Sequence, residues 1–442
     1  MIAIIGGGIS GLTLAYELQK KNIEYILLES SSQAGGVIDS YNDGKHLVEA
    51  GPNTILADDK IKAFINELGI SSEIVEPTFV SKNRFILKNG EYRQIPTSPK
   101  SFFTDDFFSW NTKLAIIAEL IKKPNPQKNE SLRSFFERRF NKQIADYIID
   151  PLASGIYAGN IDELLVEKTF PFLTDLETKY GSIIKGFITS KKTAGRKDSL
   201  TFRHGMKHLP LTLASKLNYI RTYAKVTNII RLNESFIISI NNGLDKIIAD
   251  KVVLAAPAYA ASAFLRDEFP EFSEILGKIN YVPMAKVATA FKKADVTFSF
   301  DGYGGLNPTC ERAFSLGSMW TSSVYPFTAP EDEILITTMV GGACNRDKVL
   351  MSDNQISANV LSEIKEFYGI SSTPVYQNMI RIPQAIPQFD KRVLPLDNLS
   401  SKMESGGIYI CANWKDGASI SDCIKKGIKM AEMLQAEQLS LV

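Results

Sequence analysis

MIAIIGGGISGLTLAYEL (residues 1–18) sets a short apolar run against a glycine-rich turn and then a periodic apolar stretch. Ile2 to Ile5 suits a strand buried on both faces. Gly6 makes the tight turn, Gly8 lets the backbone approach a pyrophosphate, and Gly11 lets the following helix pack close to the strand. Leu12, Leu14, Ala15 and Leu18 give that helix an apolar face. Its start, from Gly7 through Ile9 and Ser10, offers free backbone N–H groups and a positive dipole end to phosphate oxygens. Tyr25 to Leu28 reads as the next strand. Glu29 ends it, at the spacing expected of the acid that hydrogen-bonds a ribose hydroxyl. A glycine fingerprint alone is weak, but strand, glycines, helix, strand and acid together predict dinucleotide binding.

The 442-residue chain is too long for one ordinary core, so two or three domains are expected. Its 44% hydrophobic and 22% charged residues are those of a soluble globular protein. A net charge of +1 and the lack of a basic run with stacking aromatics argue against nucleic acid as a partner. Cys310, Cys344, Cys411 and Cys423 are widely spaced and read as buried thiols in a reducing compartment, here the cytoplasm. His46, His204 and His208 do not assemble into a metal site, and none is expected. With the first strand at Ile2, no leader is expected. VVLAAPAYAASAFL from Val252 is broken by Pro257 and reads as a strand followed by a helix, not as a membrane span.

After the acid come Gly35-Gly36, Val37 and, from Glu49, EAGPNTI, which carries Gly51, Pro52, Asn53 and Thr54. FRHGMKHLPLTLASKL and KVTNI follow in mid-chain, and YICANWKDGASISDCIKKG lies near the C-terminus. This set resembles the flavin-dependent amine oxidase and desaturase superfamily. The resemblance implies FAD, held without a covalent link. Val226 would lay backbone against adenine, and Asn413, Ala418, Ser419 and Ile420 would bring a helix N-terminus to the flavin. Gln33 stands where the family has an arginine, and Ala412 where it has a glycine.

The implied fold is α/β. A discontinuous Rossmann-like FAD domain takes residues 1–80, 200–265 and 395–442. A mixed-sheet substrate domain takes 81–100 and 266–394, with VATAFKK and EILITTMVGG as strands and NQISANVLSEIKEFYG as a helix ending at Gly369. Residues 101–199 form a helical lobe. There Phe102, Phe103, Phe107, Phe108 and Trp110 precede a stripe of Leu114, Ile117 and Ile121, flanked by KKPNPQK and SKKTAGRK. Asp105, Asp106 and Glu119 exclude a spanning helix. The aromatics read either as a surface dipping into lipid headgroups or as an ordinary core.

KNRFILKNG from Lys82, DPLASGIYAGN from Asp150, GYGGLNP from Gly302, LGSMWTSSVYPFTAP from Leu316 and PQAIPQF from Pro383 narrow the resemblance to oxygen-using, FAD-dependent protoporphyrinogen oxidases. Those enzymes oxidise a porphyrinogen to the porphyrin that precedes haem, returning electron pairs to O2 as hydrogen peroxide. The resemblance places Arg84 on a substrate propionate and Asn53 near the flavin and the macrocycle. It places Leu306, Met319 and Met339 as the apolar sandwich, and Gly155 where a side chain would strike the macrocycle. Read alone, Arg84 is a strand-edge arginine and the three apolar residues are core. No acid–base pair stands out, as expected where a flavin carries the chemistry and no side chain is catalytic. Peripheral membrane contact, hand-over to ferrochelatase and a homodimer are the further partners this reading allows. The rivals are a coproporphyrinogen III oxidase, another amine oxidase or desaturase, and a flavin-free prenyl-binding escort.

Overall fold

The computed structural model describes residues 1–96, 98–190 and 197–440. Five parallel strands form its first layer. Ile2–Ile5 is central, flanked by Tyr25–Leu28 and Lys251–Leu254, with Ile220–Arg221 and Ile408–Ile410 at the edges. In chain order this is 3-2-1-4-5, so ligand-bearing turns gather at the carboxyl ends of the strands. The strands are apolar throughout because both faces are covered. The helix Ile9–Lys20 and the C-terminal helix Ile420–Ser440 cover one face, where a Cβ on Gly427 would lie 2.9 Å from Thr13. The other face carries the antiparallel strands Val226–Leu232, Ser235–Ile240 and Asp245–Ala249. The helices Ala258–Leu265, Pro270–Gly277 and Leu396–Ser405 share their core.

A second sheet has seven strands, in the order Tyr376–Pro387, Tyr281–Lys292, Glu333–Gly341, Gly317–Met319, Gly304–Leu306, Phe85–Lys88 and Glu91–Gln94. All neighbours are antiparallel except Gly304–Leu306 beside Phe85–Lys88. One face packs on the helix Asp353–Tyr368, through Val287, Ile336 and Val340 against Ile356, Val360 and Ile364. That helix has a Ser352/Gln355 capping box and ends at Gly369 with φ +63°.

The remaining segment is helical from Pro99 to Ser190. Phe107 and Phe108 are core residues of this lobe, 0% and 7% exposed, so the aromatic cluster divides. Phe103, Trp110, Leu114, Ile117 and Ile121 remain on the surface. Glu119 is also fully buried, because Arg139, Ser182 Oγ at 2.6 Å and the Ile183 N–H at 2.8 Å surround its carboxylate. Residues 191–196 of the basic stretch SKKTAGRK lie outside the described residues. Among those described, no helix is long and apolar enough to cross a membrane. Cys411 and Cys423 are buried as expected. Cys310 and Cys344 are exposed: Cys310 lies in the short 3-10 turn Thr309–Glu311, and Cys344 in the connection that follows the strand Glu333–Gly341.

Candidate active site

The glycine turn is shaped by close backbone approach. A Cβ on Gly11 would sit 2.0 Å from the Gly6 carbonyl oxygen, so any side chain there would push the helix off the strand. Gly8 is the N-cap and no side chain caps it, which leaves the first-turn N–H groups free, while its own Cβ position faces open space. Gly7 N–H donates to Glu29 Oε2 at 2.7 Å, and Ser31 N–H to Glu29 Oε1 at 2.7 Å. Glu29 is thereby fixed with lone pairs to spare for hydroxyl donors.

The second glycine pair closes the same cradle. Gly35 N–H donates to the Gly7 carbonyl at 2.8 Å, and a Cβ on Gly36 would lie 3.2 Å from Gly8 Cα. Across the turn, the Ala224 N–H bonds the Glu29 carbonyl at 2.8 Å, which brings Val226 to this edge. At the far edge, Cys411 N–H bonds the Leu254 carbonyl, and Asn413 follows. Lys426 Nζ holds that loop by donating to the carbonyls of Ala412, Lys415 and Gly417 at 2.6, 2.5 and 2.7 Å. Ser419 immediately precedes the C-terminal helix and caps it, its Oγ accepting from Asp422 N–H at 3.1 Å, with Ala418 and Ile420 on either side. The loop glycines, Glu29, Val226 and the segment 413–420 thus all lie along the carboxyl edge of the parallel sheet. This open, N–H-lined groove with a fixed carboxylate suits a dinucleotide.

The strap Gly51-Pro52-Asn53-Thr54 runs from this groove toward the second sheet. A Cβ on Gly51 would sit 1.9 Å from the Val37 carbonyl oxygen, so the two segments are in direct backbone contact. Lys286, in the strand Tyr281–Lys292, secures the strap. Its Nζ donates to Glu49 O at 2.6 Å, Gly51 O at 2.8 Å and Asn53 Oδ1 at 2.7 Å. Burial pushes the Lys286 ammonium down to about 8, against the favourable Glu49 charge. Burial lifts Glu49 to about 6, although it accepts from Ser40 Oγ at 2.6 Å and Met206 N–H at 2.9 Å. Sequence reading passed over Lys286. Its signal was a lysine inside the otherwise apolar run YVPMAKVATAF, where an unpaired charge does not belong.

Register decides the apolar wall. Leu306 pairs with Gly317, Gly317 with Met339, and Met339 with Lys286. Directly paired residues share a face, so Leu306, Met339 and Lys286 point the same way. Met319, two residues beyond Gly317, joins them. Gly155, on the helix Asp150–Tyr157, stands over this wall, its Cβ position 3.4 Å from Leu306 Cδ2.

Arg84 precedes the strand Phe85–Lys88. Its guanidinium stacks on the Tyr303 ring, 4.1 Å from the centroid, and donates to the Ser81 carbonyl. Among the described residues no carboxylate pairs with it. Its side chain is open to solvent yet crowded by protein, and the lost hydration pushes its pKa down. Trp414 is fully buried, with Nε1 donating to the Ala256 carbonyl at 3.0 Å, so it belongs to the core.

Residues 9–434 match the family described as flavin containing amine oxidoreductase. Among curated proteins, the chain is similar to protoporphyrinogen oxidase 2, chloroplastic/mitochondrial, of Arabidopsis thaliana. The two are 28% identical over 98% of this chain and 93% of the relative. It is also similar to coproporphyrinogen III oxidase of Bacillus subtilis, 29% identical with 96% of each chain covered. A solved structure from Exiguobacterium sp. 255-15 shares the fold with a TM-score of 0.83 at 23% identity, covering 99% of this chain and 98% of that one. With the match running from the helix behind the glycine turn to the C-terminal helix, this chain belongs to the flavin containing amine oxidoreductase family.

Proposed function

We propose that this chain is an FAD-dependent oxidase that converts protoporphyrinogen IX to protoporphyrin IX, with O2 as acceptor and hydrogen peroxide as by-product. FAD, when bound, supplies the hydride acceptor. The Gly6–Gly11 turn and Gly35-Gly36 hold its pyrophosphate, Glu29 its ribose, Val226 its adenine side, and Gly51–Thr54 with Asn413 and 418–420 its flavin end. The fit rests on the uncapped helix start, the open space at Gly8 and the anchored Glu29. The division into FAD-binding, substrate and helical regions belongs to the same reading.

The observation that carries the substrate is Arg84, a guanidinium with no carboxylate partner among the described residues, set beside an apolar wall. A porphyrinogen has this pattern: a broad greasy disc with carboxylates on its rim. Arg84 anchors the rim, since a planar fork pairs bidentately with a carboxylate. Leu306, Met319 and Met339 hold the disc and keep water out, and Gly155 leaves it room. The contribution of these residues is placement in a dry slot. Anaerobic addition of protoporphyrinogen IX bleaches the flavin of the holoenzyme if the reading holds; a flavin that stays yellow refutes it.

A second reading, coproporphyrinogen III as substrate, is supported by the comparable 29% identity to the Bacillus enzyme. Relative turnover on the two porphyrinogens separates them. The exposed stripe from Phe103 to Ile121 is the surface proposed to meet a membrane.

A further inference from the structure

We propose that the hydroxyl of Tyr325 and the guanidinium of Arg84 form one seat for a substrate carboxylate. The inference rests on the porphyrinogen reading, which supplies the carboxylate.

Tyr325 is 2% exposed, and its buried hydroxyl makes no hydrogen bond of good geometry, with the side chain of Ser199 close by. A buried hydroxyl without a well-formed bond costs stability that a phenylalanine would not, and an acceptor on a ligand would offset that cost. The ring is firmly placed: the Tyr325 N–H bonds the Thr321 carbonyl at 2.8 Å, and the ring meets Phe327 edge-on at 6.2 Å. Tyr303, on whose ring Arg84 lies, packs in the same cluster with Tyr325 and Met319. Tyr325 also lines a small cavity with Asn53, Met319 and Phe327. A cation without a carboxylate partner among the described residues and a neutral donor without a well-formed bond therefore lie near one another beside Met319. Burial raises the Tyr325 phenol above its ordinary pKa, so it stays a donor at any physiological pH. A carboxylate there accepts the Arg84 fork and the Tyr325 O–H together, completing both groups at once.

The test uses the flavin-loaded protein and its Tyr325→Phe variant. Protoporphyrin IX and its dimethyl ester are titrated by absorbance, with melting temperature read alongside. Wild type is expected to favour the free acid. Tyr325→Phe should bind the acid about tenfold more weakly, the effect of a lost hydrogen bond to a charged group. It should bind the ester unchanged and melt no lower than wild type. In an Arg84→Ala background, Tyr325→Phe should add less than its single effect, because the carboxylate is shared. Unchanged acid binding in Tyr325→Phe overturns the seat. A lowered melting temperature or failure to fold also overturns it, since the hydroxyl would then have a structural partner. Wild-type protein that binds neither compound overturns the porphyrinogen reading itself.

Discussion

Lys286 Nζ and Asn53 Oδ1 are joined by a 2.7 Å hydrogen bond that ties the seven-stranded sheet to the strap beside the glycine cradle. The same ammonium takes the carbonyls of Glu49 and Gly51, so one side chain satisfies three partly buried acceptors. Lys286→Met would leave those acceptors without a donor. The expected cost is about 1–3 kcal/mol per group that water does not reach. Reduced flavin content at purification and a lower urea midpoint are the expected readings; an unchanged midpoint would show that the strap does not depend on this lysine.

Glu49 supplies a pH signature. Its folded pKa of about 6 lies above the ordinary carboxylate value, so between roughly 4.5 and 6 the folded state holds a proton that the unfolded state has released. Its contribution to stability is therefore fully present below that window and fades as pH rises through about 6. Lys286, depressed to about 8, acts in a separate window: its contribution rises between about 8 and the ordinary lysine value. The stability difference between wild type and Glu49→Gln should shift across pH 4.5–6.5 in urea titrations. A flat difference refutes the assignment.

Gly155→Ala separates room for the protein from room for the substrate. The added methyl would meet Leu306 Cδ2 at 3.4 Å, an ordinary contact. Replacing a helix-interior glycine should raise stability by up to about 1 kcal/mol. Turnover on the porphyrinogen should fall nonetheless, because the methyl enters the slot. Unimpaired turnover in a stabilised variant would move the substrate away from this helix.

Arg84→Ala should raise KM by about 10- to 100-fold, the range for losing a charge-assisted bond, with flavin content unchanged. Arg84→Lys should recover only part of that, since an ammonium cannot reproduce the fork. Equal KM values in all three proteins would remove Arg84 from the substrate.

Trp110, Leu114 and Ile121 are 67%, 61% and 83% exposed on one lobe. Replacing all three with Ser should abolish co-flotation with liposomes containing anionic lipid and leave the melting temperature nearly unaltered, as these side chains are not core. Wild-type protein that stays at the bottom of the gradient would end the membrane proposal.

Local rules made the nucleotide cradle legible without coordinates. A turn that brings helix onto strand admits no Cβ at Gly11, and Glu29 must follow the second strand to reach Gly7. These constraints act over a few tens of residues, so spacing alone carries them. The periodicities of the strand at Glu333–Gly341 and the helix at Asp353–Tyr368 were legible for the same reason.

What only the tertiary structure decided are the pairings between distant segments. Leu306, Met319 and Met339 share a face because of strand register, and register is set by neighbours in space. Phe107 and Phe108 are core while Trp110 is surface, though all three sit within four residues, because the lobe's packing and not their hydrophobicity assigns the faces. Lys286 reaches Asn53 across 233 residues, and the buried Tyr325 hydroxyl can be seen to lack a well-formed hydrogen bond only once every neighbour is in place. Hydrogen bonds and ion pairs are short-ranged, and chain separation says nothing about which donors and acceptors the fold will bring within 3 Å.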